Sequence, residues 1–458
     1  MLFWLYYFTF LYLFFRMFFF RMLFDYYRRN RDVKMAKVYI ETYGCTLNQA
    51  DSDIIKGILR NIGHELVENE NEADVIVFNT CTVKGPTENK IFERMKRTTK
   101  PFVIAGCIYV NKKRIIREIK NPVVISPGAL GRIGKAVEAA IRRREMWITE
   151  DVGKTGKVRE ITAPILRVPI QEGCTGSCFF CQTKLARPLL KSYQPKTIRM
   201  WIEEGLKKGA KEMQITGMDS GAYGIDIGTD LPTLLESLTD IDGNFKIRLG
   251  MINPQHLNRF GDGLIDIMKS DKFYKFIHIP VQTGSERICR RMNRPHTVKD
   301  FIKWVKKFRA AIPNITIATD IIVGYPGETT ADFKSTIALL QRVKPDVVNI
   351  SKYTVRSGTK AALMKQLPTE IIKERSKEAS EVVHRICAEN NSKYIGKIVD
   401  VLVLEQNGRK GRTENYKQVV LDKKAKLGTW IKTKIERVNH SSLFGQNPGS
   451  PRMYALIR

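Results

Sequence analysis

Gly173-Cys174-Thr175-Gly176-Ser177-Cys178-Phe179-Phe180-Cys181 places three cysteines on one short stretch with the spacing C-x3-C-x2-C (the loop trio). Three thiolates at this spacing match three corners of a four-iron, four-sulfur cluster and leave the fourth iron without a protein ligand. A zinc knuckle is the alternative, but structural zinc prefers four protein ligands, and no fourth cysteine or histidine lies within the next dozen residues. The stretch therefore predicts an iron-sulfur cluster with one open iron.

The open iron determines the chemistry that this stretch predicts. An iron with free positions can hold a small molecule through an amine and a carboxylate, and S-adenosylmethionine is the ligand associated with this cysteine spacing. Radical chemistry is therefore the leading hypothesis for the chain. A non-catalytic iron-sulfur protein that binds RNA is the alternative from another class, although a structural cluster gains stability from a fourth ligand.

From about residue 160 onward, short apolar segments alternate with amphipathic helical segments. Parallel strands joined by right-handed helical crossovers curl into a barrel whose active site lies at the carboxyl ends of the strands. We therefore predict a partial (β/α)6 barrel over residues 160–390, with an opening on one side for a large substrate. The six predicted strands are Leu166 to Ile170, Glu212 to Thr216, Lys246 to Gly250, Phe276 to Pro280, Thr316 to Val323 and Val347 to Ile350.

Polar or glycine-containing runs follow several of these strands, where a cofactor would lie. They supply candidate contacts for S-adenosylmethionine, because glycine allows close approach of the backbone and polar side chains can hydrogen-bond the ligand. Ordinary turn chemistry at strand ends is the alternative for each residue. The five candidates are Gly217, Asp219, Asn253, Gln282 and Asp320.

A second set of three cysteines, Cys45, Cys81 and Cys107 (the strand-end trio), lies in residues 35–148. Short apolar segments alternate with helical segments there too, which predicts a doubly wound α/β domain. Each cysteine comes just after a predicted strand, and the carboxyl ends of neighbouring parallel strands converge along one edge. We therefore predict a second cluster at that edge, with small buried cysteines as the alternative. The three predicted strands are Lys37 to Thr42, Asp74 to Phe78 and Phe102 to Ala105.

Residues 391–458 change to short strands separated by turns rich in Gly, Asn and Lys, which predicts a small antiparallel β-barrel. The run from Gly408 to Lys417 packs cations beside one tyrosine, a combination suited to phosphate contacts and base stacking on RNA. A solvated basic loop is the alternative. The six candidate RNA contacts are Arg409, Lys410, Arg412, Asn415, Tyr416 and Lys417.

The overall charge favours a polyanionic partner. Lys and Arg number 77 against 47 Asp and Glu, which gives a formal net charge of +30. A Lys-rich surface without a partner is the alternative. The eight cysteines lack the regular pairing of a disulfide framework, so we expect a reducing cytoplasm.

Residues 1–34 differ from the rest of the chain. They begin with an almost unbroken apolar run, but Arg16 and Arg21 interrupt it before it reaches the ~20 apolar residues of a membrane span. We expect translation to begin at Met35, and an apolar membrane anchor is the alternative.

The order of these features resembles the methylthiotransferase family, whose members join an amino-terminal three-cysteine domain, a radical S-adenosylmethionine domain and a carboxyl-terminal RNA-binding barrel called TRAM. The resemblance covers about Met35 to Arg458. The loop trio followed by Gln182-Thr-Lys-Leu-Ala-Arg187 looks like the archaeal and eukaryotic branch. That branch adds a methylthio group to carbon 2 of N6-threonylcarbamoyladenosine next to the anticodon. Relatives that modify isopentenyl-adenosine in tRNA or a ribosomal protein are the alternative.

The resemblance also implies a role for each trio. The loop trio would hold the 4Fe-4S cluster that reduces S-adenosylmethionine to a 5′-deoxyadenosyl radical. The strand-end trio would hold an auxiliary 4Fe-4S cluster that delivers the methylthio group. The implied partners are the anticodon stem-loop of tRNA, a protein electron donor and a source of sulfur.

Overall fold

A computed structural model describes residues 35–83, 85–154 and 159–446 of the chain. The apolar extension over residues 1–34 and the last residues of the predicted terminal domain, 447–458, lie outside the described residues. Within the described ranges, no helix combines the length and the apolar character that crossing a membrane requires.

The amino-terminal unit is one parallel sheet of six strands with helices on both faces. The strands are β1 (Lys37–Thr42), β2 (Glu65–Val67), β3 (Val75–Thr80), β4 (Phe102–Gly106), β5 (Val123–Ile125) and β6 (Met146–Ile148). The helices are α1 (Thr46–Asn61), α2 (Gly85–Arg97), α3 (Lys112–Glu118) and α4 (Ile133–Ile141). The strand order is β2-β1-β3-β4-β5-β6.

The central strand β3 shows why this unit is covered on both sides. All of its residues are buried. Val75 and Val77 pack into the core on the α1 and α4 face, whereas Ile76 and Phe78 pack into the core on the α2 and α3 face. A strand buried on both faces has a continuous apolar sequence rather than an alternating one. The predicted doubly wound fold is confirmed, although the sequence did not predict the three-residue strands β2, β5 and β6.

The central unit is an open series of parallel strands surrounded by helices. The strands are β7 (Ile165–Pro169), β10 (Glu212–Thr216), β11 (Lys246–Arg248), β12 (Phe276–His278), β13 (Thr316–Val323) and β14 (Val347–Lys352), with a small hairpin of β8 (Gln171–Glu172) and β9 (Lys191–Ser192). The helices are α5 (Thr183–Ala186), α6 (Pro195–Lys207), α7 (Leu231–Thr239), α8 (Pro254–Met268), α9 (Glu286–Arg291), α10 (Val298–Ala311) and α11 (Thr330–Val343).

These strands form two parallel sheets, β11-β10-β7 and β12-β13-β14. Backbone hydrogen bonds join the two sheets, from Tyr274 N to Ile247 O at 3.0 Å and from Ile252 N to His278 O at 2.9 Å. The series therefore curves from β7 to β14 without closing, which confirms the predicted partial barrel. The amino-terminal unit packs beside β7, where Arg167 Nε donates to Gln49 Oε1 at 2.8 Å.

The last unit is a closed barrel that follows the long helix α12 (Thr369–Ser392). Its strands are β15 (Ile398–Glu405), β16 (Lys410–Thr413), β17 (Gln418–Leu421), β18 (Trp430–Val438) and β19 (Leu443–Gln446). The order around the barrel is β15-β16-β17-β19-β18. β17 pairs with β19 in parallel, and the other neighbouring pairs are antiparallel. Val401, Val419 and Ile435 are among the side chains that fill the interior.

Candidate active site

The loop trio lies between β8 and α5, just beyond the carboxyl end of β7. Gly173 enters the loop with φ 69°, and a Cβ there would come within 1.9 Å of Leu189 O, so only glycine fits. The backbone N–H of Gly176 donates to Cys174 Sγ at 3.1 Å. A Cβ at Gly176 would lie 3.4 Å from Cys174 Sγ and 3.8 Å from Cys178 Sγ, so both thiols flank this glycine.

Burial disfavours ionisation of two of the loop thiols, those of Cys174 and Cys181. It raises the pKa of Cys174 to about 12, and the neighbouring Asp219 carboxylate adds to this effect. Burial also raises the pKa of Cys181. Coordination to a metal deprotonates a thiol outright, so an iron centre bound here would offset this effect of burial. Three neighbouring sulfur donors on one loop fit a 4Fe-4S cluster with an open iron.

The strand-end trio follows β1, β3 and β4, which are adjacent strands of the amino-terminal sheet. Burial raises the pKa of Cys81 to about 12, and the nearby thiols of Cys107 and Cys45 raise it further. Gly44, with φ 105°, leaves room for Cys81, whose Cβ would be only 2.7 Å from a Cβ at position 44. These three sulfur donors also fit a cluster with an open iron.

The two trios are neighbours across the boundary between the first two units. Gln182, the residue after Cys181, makes a short hydrogen bond with Thr82, the residue after Cys81. Gln182 Nε2 also donates to Asn111 Oδ1 at 2.7 Å. This side-chain contact joins the residue after Cys81 to the residue after Cys181, so the strand-end trio and the loop trio are neighbours.

Asp219 and Asn253 form one polar cluster beside the loop trio. Asp219 is fully buried and accepts hydrogen bonds from Asn253 N at 3.2 Å and Asn253 Nδ2 at 2.7 Å, with His256 Nε2 at 3.0 Å. Burial alone would raise the pKa of Asp219, but the hydrogen bonds from His256 and Asn253 hold it below its usual value. Cys174 Sγ lies 3.9 Å from Asp219 Oδ2. Gly217 lies close to Gln171, whose Cγ would be 2.9 Å from a Cβ at 217.

Gln282 and Asp320 form a second polar pair. The Gln282 N–H donates to Asp320 O at 2.8 Å, and Gln282 has the left-handed φ of 69°. The Asp320 carboxylate lies 3.0 Å from His278 Nε2 and accepts from Asn349 Nδ2 at 2.8 Å. Burial alone would raise the pKa of Asp320, but His278 and Asn349 hold it below its usual value. The described contacts do not join this pair directly to Asp219 or Asn253.

Arg294 is a site residue that the sequence did not indicate. Its Nη1 donates to Cys178 Sγ at 3.3 Å and its Nη2 donates to Pro280 O at 3.1 Å. Burial raises the pKa of Asp320, and the charge of Arg294 adds to the larger effect of His278 in lowering it. Arg294 follows Asn293, whose φ of 56° marks a turn after α9, and this turn chemistry was the only local signal.

Four of the six candidate RNA contacts pack within the terminal unit or against the central one, which disfavours them as RNA ligands, and their role stays a prediction. Lys417 is buried and its Nζ pairs with Asp346 Oδ1 at 2.8 Å. Asn415 is buried and its Nδ2 donates to Asn314 O at 3.0 Å. The Tyr416 ring packs on two aromatic rings of the central unit, and the guanidinium of Arg412 lies 4.8 Å from the Tyr416 ring centroid.

The turn between β16 and β17 accounts for this packing. β16 and β17 form an antiparallel hairpin, and the turn between them inserts its side chains beside β12. Arg409 is exposed and Lys410 is half-buried. These two remain candidate RNA contacts.

Comparisons with known proteins agree with this division into three units. The radical SAM superfamily matches residues 168–340, the uncharacterized protein family UPF0004 matches residues 37–126, and the TRAM domain matches residues 392–447. A probable threonylcarbamoyladenosine tRNA methylthiotransferase from Pyrococcus horikoshii is 40% identical over 427 residues, which cover 90% of this chain and 99% of the relative. The chain belongs to the threonylcarbamoyladenosine tRNA methylthiotransferase family.

Other members of this methylthiotransferase family are similar over comparable lengths. A probable threonylcarbamoyladenosine tRNA methylthiotransferase from Archaeoglobus fulgidus is 40% identical, covering 90% of this chain and 98% of the relative. The threonylcarbamoyladenosine tRNA methylthiotransferase of Homo sapiens is 32% identical, covering 91% of this chain and 75% of the relative. The predicted resemblance is therefore confirmed, and the chain is a transferase of the radical SAM class.

The methylthiotransferase fold also has a counterpart among solved structures. A radical S-adenosylmethionine methyltransferase from Kitasatospora setae, with cobalamin and a [4Fe-4S] cluster bound, has a TM-score of 0.53. The two proteins are 11% identical, and the match covers 72% of this chain and 77% of that one. This likeness shows the shared fold alone.

Proposed function

We propose that this methylthiotransferase adds a methylthio group to carbon 2 of N6-threonylcarbamoyladenosine next to the anticodon of tRNA. The observation that carries the proposal is the contact between Gln182 and Thr82, because each follows a cysteine of a different trio. A reaction that removes a hydrogen and adds a methylthio group at one carbon needs two reactive centres beside one substrate atom. The names of the relatives supply the nucleoside.

Two 4Fe-4S clusters and S-adenosylmethionine are the cofactors of this proposal. The loop trio would hold one cluster and the strand-end trio the other. When bound, these groups supply the radical that removes the hydrogen from carbon 2 and the methylthio group that replaces it. The chain itself supplies orientation, because its donor sets lie on loops whose neighbouring residues are hydrogen-bonded across the boundary.

The buried polar groups near the loop trio would bind and orient S-adenosylmethionine. Asp219 and Asn253 are already hydrogen-bonded to each other, so little reorganisation is needed when a ligand arrives. Arg294 places a cation within 3.3 Å of Cys178 Sγ and can pair with a carboxylate. Gly217, Gln282 and Asp320 would complete the site at neighbouring strand ends.

The proposed partners are tRNA, a protein electron donor and a source of sulfur. The net charge of +30 favours the phosphates of the anticodon stem-loop, and Arg409 and Lys410 offer cations on the terminal barrel. Adenosines beside the anticodon lie in single-stranded RNA, so little unpairing energy is needed to reach carbon 2. All eight cysteines are free, which supports a reducing cytoplasm as the compartment.

Mass spectrometry of tRNA nucleosides tests this function directly. Cells that lack the gene should retain N6-threonylcarbamoyladenosine and lose its methylthio form, and the wild-type chain should restore the product. A chain with Cys81→Ala should not restore it. Cys387→Ala is the matched control, because that buried thiol lies on α12, outside both trios. An unchanged level of the methylthio nucleoside in cells without the gene would refute the proposal.

A further inference from the structure

Four buried charges form a closed ring at the boundary between the first two units. Asp51 on α1 and Glu172 on β8 each accept from both Lys154 and Arg187. The side chains of Asp51, Lys154 and Arg187 are 1–2% exposed and that of Glu172 is 14% exposed. Two cations and two carboxylates balance, so the ring carries no net charge.

Arg187 differs from Lys154 because it also reaches the strand-end trio. Its Nη2 donates to Asn48 Oδ1 at 3.2 Å, and this oxygen also accepts from Cys107 Sγ at 3.8 Å. The Nδ2 group of Asn48 donates to the carbonyls of Thr80 and Tyr43, at 2.7 and 3.0 Å. Thr80 precedes Cys81, and Tyr43 is two residues before Cys45. A single amide therefore touches the backbone or thiol beside every member of the trio.

In the sequence, Arg187 lies close to the loop trio, a few residues after Cys181. It comes directly after α5, the short helix that follows the loop trio, and it is 136 residues away from Asp51 in sequence. The path from Arg187 through Asn48 to Cys107 is thus a buried, hydrogen-bonded connection from the segment that follows the loop trio to the strand-end trio. Among the described hydrogen bonds, Lys154 makes none to Asn48 or Cys107.

We propose that Arg187 is a positioning residue for the auxiliary cluster: it fixes the strand-end trio against the loop trio and sets the reduction potential of the cluster held there. This inference rests on the proposed function, because it requires the second cluster. A fixed positive charge beside a cluster favours the reduced form, which is one unit more negative. Because the site is buried, solvent screens this effect only weakly.

The test uses the full chain with Cys174, Cys178 and Cys181 all changed to Ala, so that only the strand-end trio can bind a cluster. This parent protein is reconstituted anaerobically with iron and sulfide, its iron content is measured, and its cluster is titrated by redox potentiometry with electron paramagnetic resonance. We expect about four irons per chain. Adding Arg187→Met should shift the midpoint potential to a more negative value. Arg187→Lys should give a smaller shift, because lysine keeps the charge balance of the ring but loses the second donor that binds Asn48.

Lys154→Met is the matched control, because it removes the other cation of the same ring without touching Asn48. It should lower stability as Arg187→Met does and shift the midpoint potential clearly less, because Lys154 pairs with the same carboxylates but makes no described hydrogen bond to Asn48 or Cys107. If Arg187→Met fails to fold, the midpoint potential of Arg187→Lys tests the inference. A potential unchanged in the arginine variants, or shifted equally by Lys154→Met, would overturn the inference. A parent protein that binds no iron would instead overturn the proposed second cluster, and the inference with it.

Discussion

Replacing Tyr416 with Ala should loosen the terminal barrel from the central unit. The Tyr416 ring centroid lies 4.7 Å from that of Tyr274 and 5.0 Å from that of Phe276. Its hydroxyl donates to Glu212 Oε1 at 3.2 Å. Burial raises the pKa of both Glu212 and Tyr416, as expected of groups removed from water.

The expected cost follows from these contacts. Truncating a buried aromatic side chain to Ala costs about 3–5 kcal/mol, of which each aromatic pair supplies about 0.5–1.5 kcal/mol beyond its buried area. Tyr416→Phe keeps the ring and removes only the hydroxyl, and Glu212 Oε1 still accepts from Gln214 Nε2 at 2.6 Å, so its cost should be about 0.5–1.5 kcal/mol, the net range for one hydrogen bond. Comparing the stability lost in Tyr416→Ala with that lost in Tyr416→Phe separates the contribution of ring packing from that of the hydrogen bond.

Urea unfolding and limited proteolysis of the two variants provide the assay. Tyr416→Ala should lower the urea midpoint for the terminal barrel and release the barrel to protease earlier than wild type. The urea midpoint and the protease resistance of Tyr416→Phe should lie between those of wild type and Tyr416→Ala. If Tyr416→Ala unfolded like the wild-type chain and only weakened tRNA binding, Tyr416 would be a base-stacking residue and the packing argument would be wrong.

Three further predictions concern chemistry, RNA binding and pH. Cys178→Ala should abolish reductive cleavage of S-adenosylmethionine, whereas Cys81→Ala should keep cleavage and lose methylthiolation; chromatography of 5′-deoxyadenosine and of the modified nucleoside checks both, and product from the Cys81 variant would contradict the assigned roles. Binding of tRNA should weaken steeply with salt, and Arg409→Ala should reduce the slope of log K against log salt by about 1 in filter-binding titrations. Lys417→Met should leave that slope unchanged and instead cost about 1.5–3 kcal/mol of stability, because it removes a charged hydrogen bond to Asp346 while Arg309 stays 3.9 Å from the same carboxylate; an unaltered slope for Arg409→Ala would remove that residue from the interface. Burial lowers the pKa of His296 to about 3, so the folded chain resists protonation there, and stability should fall as the pH drops below the unfolded value of about 6.5. His296→Gln should remove on the order of 2 kcal/mol of the stability lost between pH 7.5 and 5, measured by urea unfolding at each pH.

Local sequence patterns predicted the fold wherever a strand is long and apolar. β1, β10 and β13 have the bounds that the sequence predicted. The sequence of β16, Lys-Gly-Arg-Thr, has no apolar alternation, and only its pairing with β15 and β17 makes it a strand. The pattern of apolar residues cannot predict a strand that is specified by its neighbours.

Local patterns also predicted that the strand-end trio lies along one edge of a sheet. Each of its cysteines follows a parallel strand, and the carboxyl ends of adjacent parallel strands share one edge. Local patterns could not predict the contacts that join the two edges. Arg187 and Asn48 are 139 residues apart, and neither lies in a motif that indicates the other. Such pairs depend on how whole units dock, which no short window of sequence contains.

The packing of Tyr416 and Lys417 at the seam between the barrel and the central unit has a physical cause that applies beyond these residues. A tyrosine in a basic run can stack on a base, but an arginine of the same run and neighbouring aromatic rings offer it the same π contacts. Here the guanidinium of Arg412 lies 4.8 Å from the Tyr416 ring centroid, and Lys417 pairs with Asp346 across the seam. Those cations contribute to the net charge of +30, yet their charges are already paired inside the protein. The affinity for RNA therefore depends on the exposed cations, and a run of basic residues indicates an RNA site only where its side chains are free to leave the protein surface.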